Sequence, residues 1–248
     1  MYYYLYDNFL SAKKYQSSIN KIESRLTDLG INGKISHLSF LKNIKQILTE
    51  EIKHGIKTII VVGNDRTVNQ VINLLPDFNA LLGIIPLGPH NQIAKLLNIP
   101  EAEAACDVLS ARMNTRLNLG LVNNNYYFIT SLELLGNNLT INCDNNYLIN
   151  LDGKNNSLIT INNLFSFTNK SSIEDTLRLT IKTPKKLFFL KSYNNISRLQ
   201  ARKINLSSKK SIPILITDEK RIIKTPIEVV ISPKKLKIII GKIKRENK

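Results

Sequence analysis

Thr58-Ile59-Ile60-Val61-Val62 is an unbroken run of five β-branched residues that stops at Gly63. Such side chains are stiff at χ1 and favour extended backbone. Successive strand residues point to opposite faces, so a run that is apolar throughout must be covered on both faces. That is the signature of a strand in a parallel sheet packed between helices. Residues 82–85 form a second run of this kind, and residues 2–6 and 34–38 read as two further strands. Between them the apolar spacing changes to three and four. Tyr15, Ile19, Ile22, Leu26 and Leu29 mark a helix over 11–29 that Gly30 stops. Leu41, Ile44, Ile47, Leu48 and Ile52 mark another, and Val68, Val71, Ile72 and Leu75 a third that ends before Pro76. Residues 93–97 and 102–111 are helical by the same reading. The order βαβαβαβα over residues 1–112 predicts a doubly wound α/β domain. Ligands of such sheets bind beyond the carboxyl ends of the strands. Two loops fall there: residues 63–67 and residues 86–91.

From residue 113 to 248 the pattern shifts to short apolar runs separated by Asn, Asp and Gly. Candidate strands cover 116–122, 126–132, 139–143, 147–151, 157–162, 177–183, 186–190, 212–217, 227–231 and 236–240. Turn signals at this spacing predict an all-β, sandwich-like second domain. Residues 162–175 read as a long polar loop.

Charge divides the chain differently. The formal net charge is +16. Residues 1–181 are almost neutral, with 16 basic and 15 acidic residues, whereas 182–248 hold 19 basic against 4 acidic. A basic C-terminal quarter points to a polyanionic partner, and an anionic membrane surface fits. Nucleic acid fits less well, because the segment lacks a recognition helix and interleaved stacking aromatics. No apolar run approaches the ~20 residues of a membrane span, and the N-terminus lacks the pattern of a secretory signal. Cys106 and Cys143 are far apart with no metal-ligand spacing, as in a reducing compartment. The expectation is a cytoplasmic protein, peripheral at the inner membrane face.

Three blocks carry a resemblance. The first is Gly63-Asn64-Asp65-Arg66-Thr67-Val68-Asn69-Gln70-Val71. The second is Pro86-Leu87-Gly88-Pro89-His90-Asn91-Gln92-Ile93-Ala94-Lys95, and the third Asp218-Glu219-Lys220 with Pro226 following in register. In order and spacing they resemble the diacylglycerol kinase catalytic-domain family of bacterial lipid kinases, which is related to the NAD kinases. That family carries Gly-Gly-Asp-Gly-Thr followed by Val-Asn-Glu-Val, then Pro-Leu-Gly-Thr-Gly-Asn-Asp, then Asp-Gly-Glu. The resemblance implies ATP-dependent phosphorylation of a lipid alcohol, with Mg2+ as cofactor. Gly63, Asn64, Asp65, Arg66, Thr67, Gly88 and Asn91 would hold the nucleotide, and Asp65, Asp218 and Glu219 are the catalytic candidates. The downstream Asn-Glu pair of the NAD kinases does not occur in this sequence.

The departures are specific. Asn64 and Arg66 replace glycines, Pro89 and His90 replace Thr and Gly, and Gln70, Gln92 and Lys220 stand where the family has carboxylates. Asn64 is expected to tolerate a left-handed backbone, while Arg66 is expected to crowd a tight turn. Arg66 could instead clamp a polyphosphate with its planar fork. The lost carboxylates open a second expectation: a kinase-like scaffold that binds lipid, nucleotide or a protein partner without turnover.

Overall fold

The computed structural model describes residues 1–39, 43–152, 156–163, 176–187, 190–211, 213–216 and 221–242. They fall into two compact units, one of residues 1–117 with the segment from Lys235, the other of residues 118–234. The division expected at 112/113 therefore differs at the C-terminus, where the chain returns to the first unit.

The first unit contains β1 (Tyr2–Tyr6), α1 (Gln16–Asp28), β2 (Lys34–His37), α2 (Ile44–Lys53), β3 (Thr58–Gly63), α3 (Asp65–Ile72), β4 (Leu81–Pro86), α4 (Gln92–Leu96) and α5 (Ala104–Ala111). The strands are parallel in the order β2-β1-β3-β4, with Tyr4 beside Ile60 and Ile60 beside Gly83. All six residues of β3 are buried, as a strand covered on both faces requires. Helix α1 buries Ile19, Ile22 and Leu26, one stripe of its surface. It starts later than the expected residue 11, because two short 3-10 turns (Asn8–Ser11 and Lys13–Tyr15) precede it. Gly30, at φ +65°, ends it by returning its amide to the Thr27 carbonyl. Helix α2 starts at Ile44, where the Asn43 side chain accepts from the Lys45 and Gln46 amides. Leu41, expected inside that helix, lies outside the described residues.

The remaining strands are β5 (Asn114–Val122), β6 (Tyr126–Phe128), β7 (Ser131–Gly136), β8 (Leu139–Cys143), β9 (Tyr147–Leu151), β10 (Ser157–Asn162), β11 (Leu177–Leu187), β12 (Leu190–Ala201), β13 (Lys203–Ser208), β14 (Pro213–Ile216), β15 (Arg221–Lys224) and β16 (Ile227–Ile239). In the second unit the start of β16, β13, β8 and β9 pair antiparallel in that order. A second antiparallel sheet runs β12-β11-β10-β7-β14-β15. Their inner faces bury one apolar core, including Ile141, Ile204 and Val229 from one sheet and Leu134, Ile159 and Leu179 from the other. The far end of β16 belongs to the first unit, where Lys237 and Ile238 pair in parallel with Leu81 and Leu82 of β4.

The fold class expected from sequence holds, with local differences. The expected strand 126–132 is split into β6 and β7, and the expected strands 227–231 and 236–240 are one, β16. Strands β12, β13 and β15 were not anticipated; their Lys, Arg, Asn and Ser residues hide the alternation. Of the expected strand 186–190, residues 186–187 end β11 and residue 190 starts β12, while residues 188–189, like residues 164–175 of the expected loop, lie outside the described residues.

Candidate functional site

In the first unit β2 lies on one side of β1 and β3 on the other, so the winding reverses at β1. The carboxyl ends of adjacent strands then splay a crevice open, the usual ligand position of such sheets. A cleft of about 350 Å³ lies there, within the ordinary size range of small-molecule sites. Asp7 and Phe9 line it from the end of β1, Leu38 from the end of β2, and Asn64, Arg66 and Thr67 from the turn after β3.

The β3–α3 turn is a helix start rather than a tight glycine turn. Asn64 is extended (φ −112°, ψ 179°), and its side chain accepts from the Arg66 amide at 3.1 Å. This corrects the expectation of a left-handed Asn64: Asn is here as an N-cap. Arg66 occupies the first turn of α3 with its side chain exposed, so the expected crowding does not arise. Arg66 lines the cleft from the first turn of the helix, the positive end of the helix dipole.

Asp65 is turned away from solvent, at 5% exposure. Its carboxylate accepts from the amides of Gln92 (2.6 Å) and Ile93 (3.1 Å), the first two residues of α4. Its own amide donates to the His90 carbonyl at 2.9 Å. The residue expected to hold phosphate or act catalytically thus spends both carboxylate oxygens joining the first loop to the second.

Gly88 has φ +94°, and a Cβ there would stand 2.7 Å from the Phe9 ring, so only glycine fits. His90 has φ +64°, in the left-handed region where the family places glycine. Histidine is among the residues that enter this region more readily than most. Asn91 is buried, and its Nδ2 donates to the Gly88 carbonyl at 2.8 Å. Gly88 and Asn91 shape the second loop and are not among the residues lining the cleft.

Sequence reasoning missed Asp7. It is half-buried, accepts from the Phe9 amide at 3.3 Å, and receives the Thr67 hydroxyl on its other oxygen. Gly63 makes this approach possible, since a Cβ there would come within 2.9 Å of the Asp7 Cβ. The strand-end rule that selected the two loops applies equally to β1 and would have selected Asp7. The preceding Tyr6 is fully buried, and burial raises its phenol pKa, so it stays protonated and supplies no base. Asp218 and Glu219, the other catalytic candidates, lie outside the described residues, as does Lys220. Among the described residues no cluster of three or more His, Cys, Asp or Glu side chains is placed to hold a metal.

Residues 3–122 match the family profile described as the Diacylglycerol kinase catalytic domain. A candidate lipid kinase of Streptococcus pneumoniae serotype 4 is 39% identical over 72 residues, 28% of this chain and 24% of that protein. A diacylglycerol kinase of Staphylococcus haemolyticus is 33% identical over 79 residues, 31% of this chain and 24% of that protein. The matched stretch thus spans about a quarter of each relative's length. The crystal structure of a diacylglycerol kinase from Bacillus anthracis superposes with a TM-score of 0.75 at 16% identity, over 97% of this chain and 96% of that one. Residues 3–122, just under half of the chain, thus carry the diacylglycerol kinase catalytic-domain profile, and the fold is shared with the Bacillus anthracis protein along almost the whole length.

Proposed function

We propose that the chain is an ATP-dependent lipid kinase that phosphorylates the hydroxyl of a lipid alcohol. The observation that carries this reading is the cleft at the winding reversal, with Arg66 in its lining on the first turn of α3. A polyphosphate there would meet a bidentate guanidinium and the positive helix end together. Thr67, donating to Asp7, fixes the carboxylate against the cleft wall.

Magnesium takes oxygen ligands, commonly one or two carboxylates plus substrate phosphates. In the cleft lining Asp7, each of whose oxygens already accepts one hydrogen bond, keeps lone pairs for such an ion, and Gln70 is in the same lining. When bound, Mg2+ would neutralise part of the phosphate charge. In the transfer, the lipid oxygen bonds to the terminal phosphorus of ATP, the bond to the ADP oxygen breaks, and the hydroxyl proton passes to a carboxylate. Asp218 and Glu219 are the candidates for that acceptor. The protein would work in the cytoplasm, at the anionic inner face of a membrane, held by its basic C-terminal quarter.

One observation favours a second reading, a scaffold that binds nucleotide without turnover. The amides of Asp65 and Arg66, free in an uncapped helix start, already donate to His90 and Asn64. A phosphate would have to displace Asn64 or bind beside it.

The test is transfer of labelled phosphate from ATP to diacylglycerol and isoprenoid alcohols in mixed micelles. The kinase reading expects labelled lipid, with Arg66→Ala reducing the rate at least about tenfold, the scale of one lost charged contact. Nucleotide binding without labelled lipid supports the scaffold, and absence of both removes the two readings together.

A further inference from the structure

The second sheet of the second unit has a face that its core does not use. Leu132, Leu134, Ile159, Ile161, Leu177, Leu179 and Ile181 point into the core. By the two-residue period of a strand, their neighbours point outward. Cross-strand register sorts these outward residues into rows. Leu135 lies opposite Leu158, Leu158 opposite Lys182, and Lys182 opposite Ile196. The next row runs Glu133, Thr160, Thr180, Arg198. On its other side Glu133 pairs with Leu215 and Leu215 with Ile222, which puts Ile222 on the same face. The third row includes Asn162, Arg178 and Gln200.

The composition of this face is unusual for a solvated sheet. Solvent-facing strand positions are ordinarily polar. Here Leu135, Ile196 and Ile222 are 55%, 45% and 63% exposed, and Leu158 is half-exposed between them. The charges among these rows are Arg178, Lys182 and Arg198 against Glu133 alone. Neighbouring strands are about 4.8 Å apart, so Leu135 and Ile196 stand roughly 14 Å apart with a cation between them. Aliphatic side chains interleaved with Lys and Arg suit the boundary between acyl chains and anionic headgroups, where long basic side chains lay their stems on apolar surface and keep the charge at the phosphates. A second copy of the chain would bring the same cations against themselves, which opposes a self-paired face.

We propose that this outer face of the β12-β11-β10-β7-β14-β15 sheet docks the protein on an anionic phospholipid bilayer. The inference deepens the membrane-docking part of the reading above by assigning it a surface, and it does not depend on phosphoryl transfer.

The test is flotation of the full chain with phosphatidylglycerol–phosphatidylcholine vesicles and with pure phosphatidylcholine vesicles, in the absence of nucleotide. Each cation near an anionic surface is worth about 1 kcal/mol, or about fivefold in partitioning. The double variant Lys182→Gln/Arg198→Gln should therefore lose roughly tenfold or more of its partitioning to anionic vesicles. Lys21→Gln/Lys57→Gln, with the same charge loss on the first unit, should lose less than about threefold. The chain contains no tryptophan, so Leu135→Trp gives a background-free fluorophore. Its emission should shift to the blue on anionic vesicles and stay unchanged on phosphatidylcholine. Equal losses in the two double variants, or a Leu135→Trp spectrum that ignores the vesicles, would overturn the assignment. So would a concentration-dependent dimer abolished by Leu135→Gln/Ile196→Gln with no vesicle binding, which would make the face a self-association surface. Labelled lipid from a chain whose vesicle binding ignores this face would leave the kinase reading standing and remove only the docking face.

Discussion

Helices α3 and α4 both begin beside the switch-point loops, and they are capped in opposite ways. Helix α3 is capped locally, by the side chain of Asn64 immediately before it. Asn91 holds the same position before α4 but makes no side-chain cap bond, and the capping groups come from Asp65, twenty-seven and twenty-eight residues away. The local cap is replaceable, because losing it affects one helix end. The distant cap is a joint: Asp65 sits on one loop, holds the start of the next helix with its carboxylate, and takes the second loop's His90 carbonyl with its amide. A carboxylate in a phosphate-type loop can thus be required by the loop's architecture before any ligand arrives.

Substitutions at four positions of the two loops separate the two kinds of cap from the backbone turns around them. Asp65→Ala should have the largest effect, removing two charge-assisted bonds and leaving two amides unpaired in a buried corner. The expected loss is about 3 kcal/mol of unfolding free energy in urea titration, with Asp65→Asn recovering part of it. A loss below about 1 kcal/mol would mean that the joint is not needed. Gly88→Ala comes next, since it forces a left-handed alanine whose Cβ meets the Phe9 ring at 2.7 Å. It should cost about 2 kcal/mol by the same titration. Asn64→Ala should cost about 1 kcal/mol, the usual worth of an N-cap, whereas Asn64→Gly should cost only a few tenths. Because the glycine also releases the Arg66 amide, calorimetry should find tighter nucleotide binding in Asn64→Gly than in the parent. His90→Gly should have a small effect of the opposite sign, a gain of about 0.5 kcal/mol read as a small rise in Tm. The left-handed backbone at φ +64° costs histidine more than glycine loses in chain entropy.

Much of the fold was legible because its signals are local. The β-branched run of β3, the three-and-four spacing of Ile19, Ile22 and Leu26, and the Gly30 stop each describe their own segment. Strands β8, β9 and β10 start and end where their apolar runs do. Strand β12 was illegible because its alternation is diluted by Asn and Arg, and its partner β11 supplies the pairing. The return of the chain to the first unit at Lys237 was hidden for a related reason: β16 is one strand read as two, and nothing local says that its end pairs with β4. At the site, the positions of the two loops followed from the strand-to-helix order. The roles of Asn64 and Asp65 did not, because a cap and a ligand use the same oxygen atoms and only the partner distinguishes them. Asp7 was within reach of the same rule and was overlooked because β1 ends in no glycine motif.

The kinase reading requires the cleft bounded by Asp7, Arg66 and Thr67 to be a polyphosphate site. Isothermal titration of the chain with ATP, with and without Mg2+, tests it most directly when run beside Arg66→Ala, whose exposed side chain leaves the helix start intact. One bound nucleotide per chain, favoured by Mg2+ and weakened at least about tenfold by Arg66→Ala, is the predicted result. No binding by the parent chain, or equal affinity in the two proteins, would contradict it.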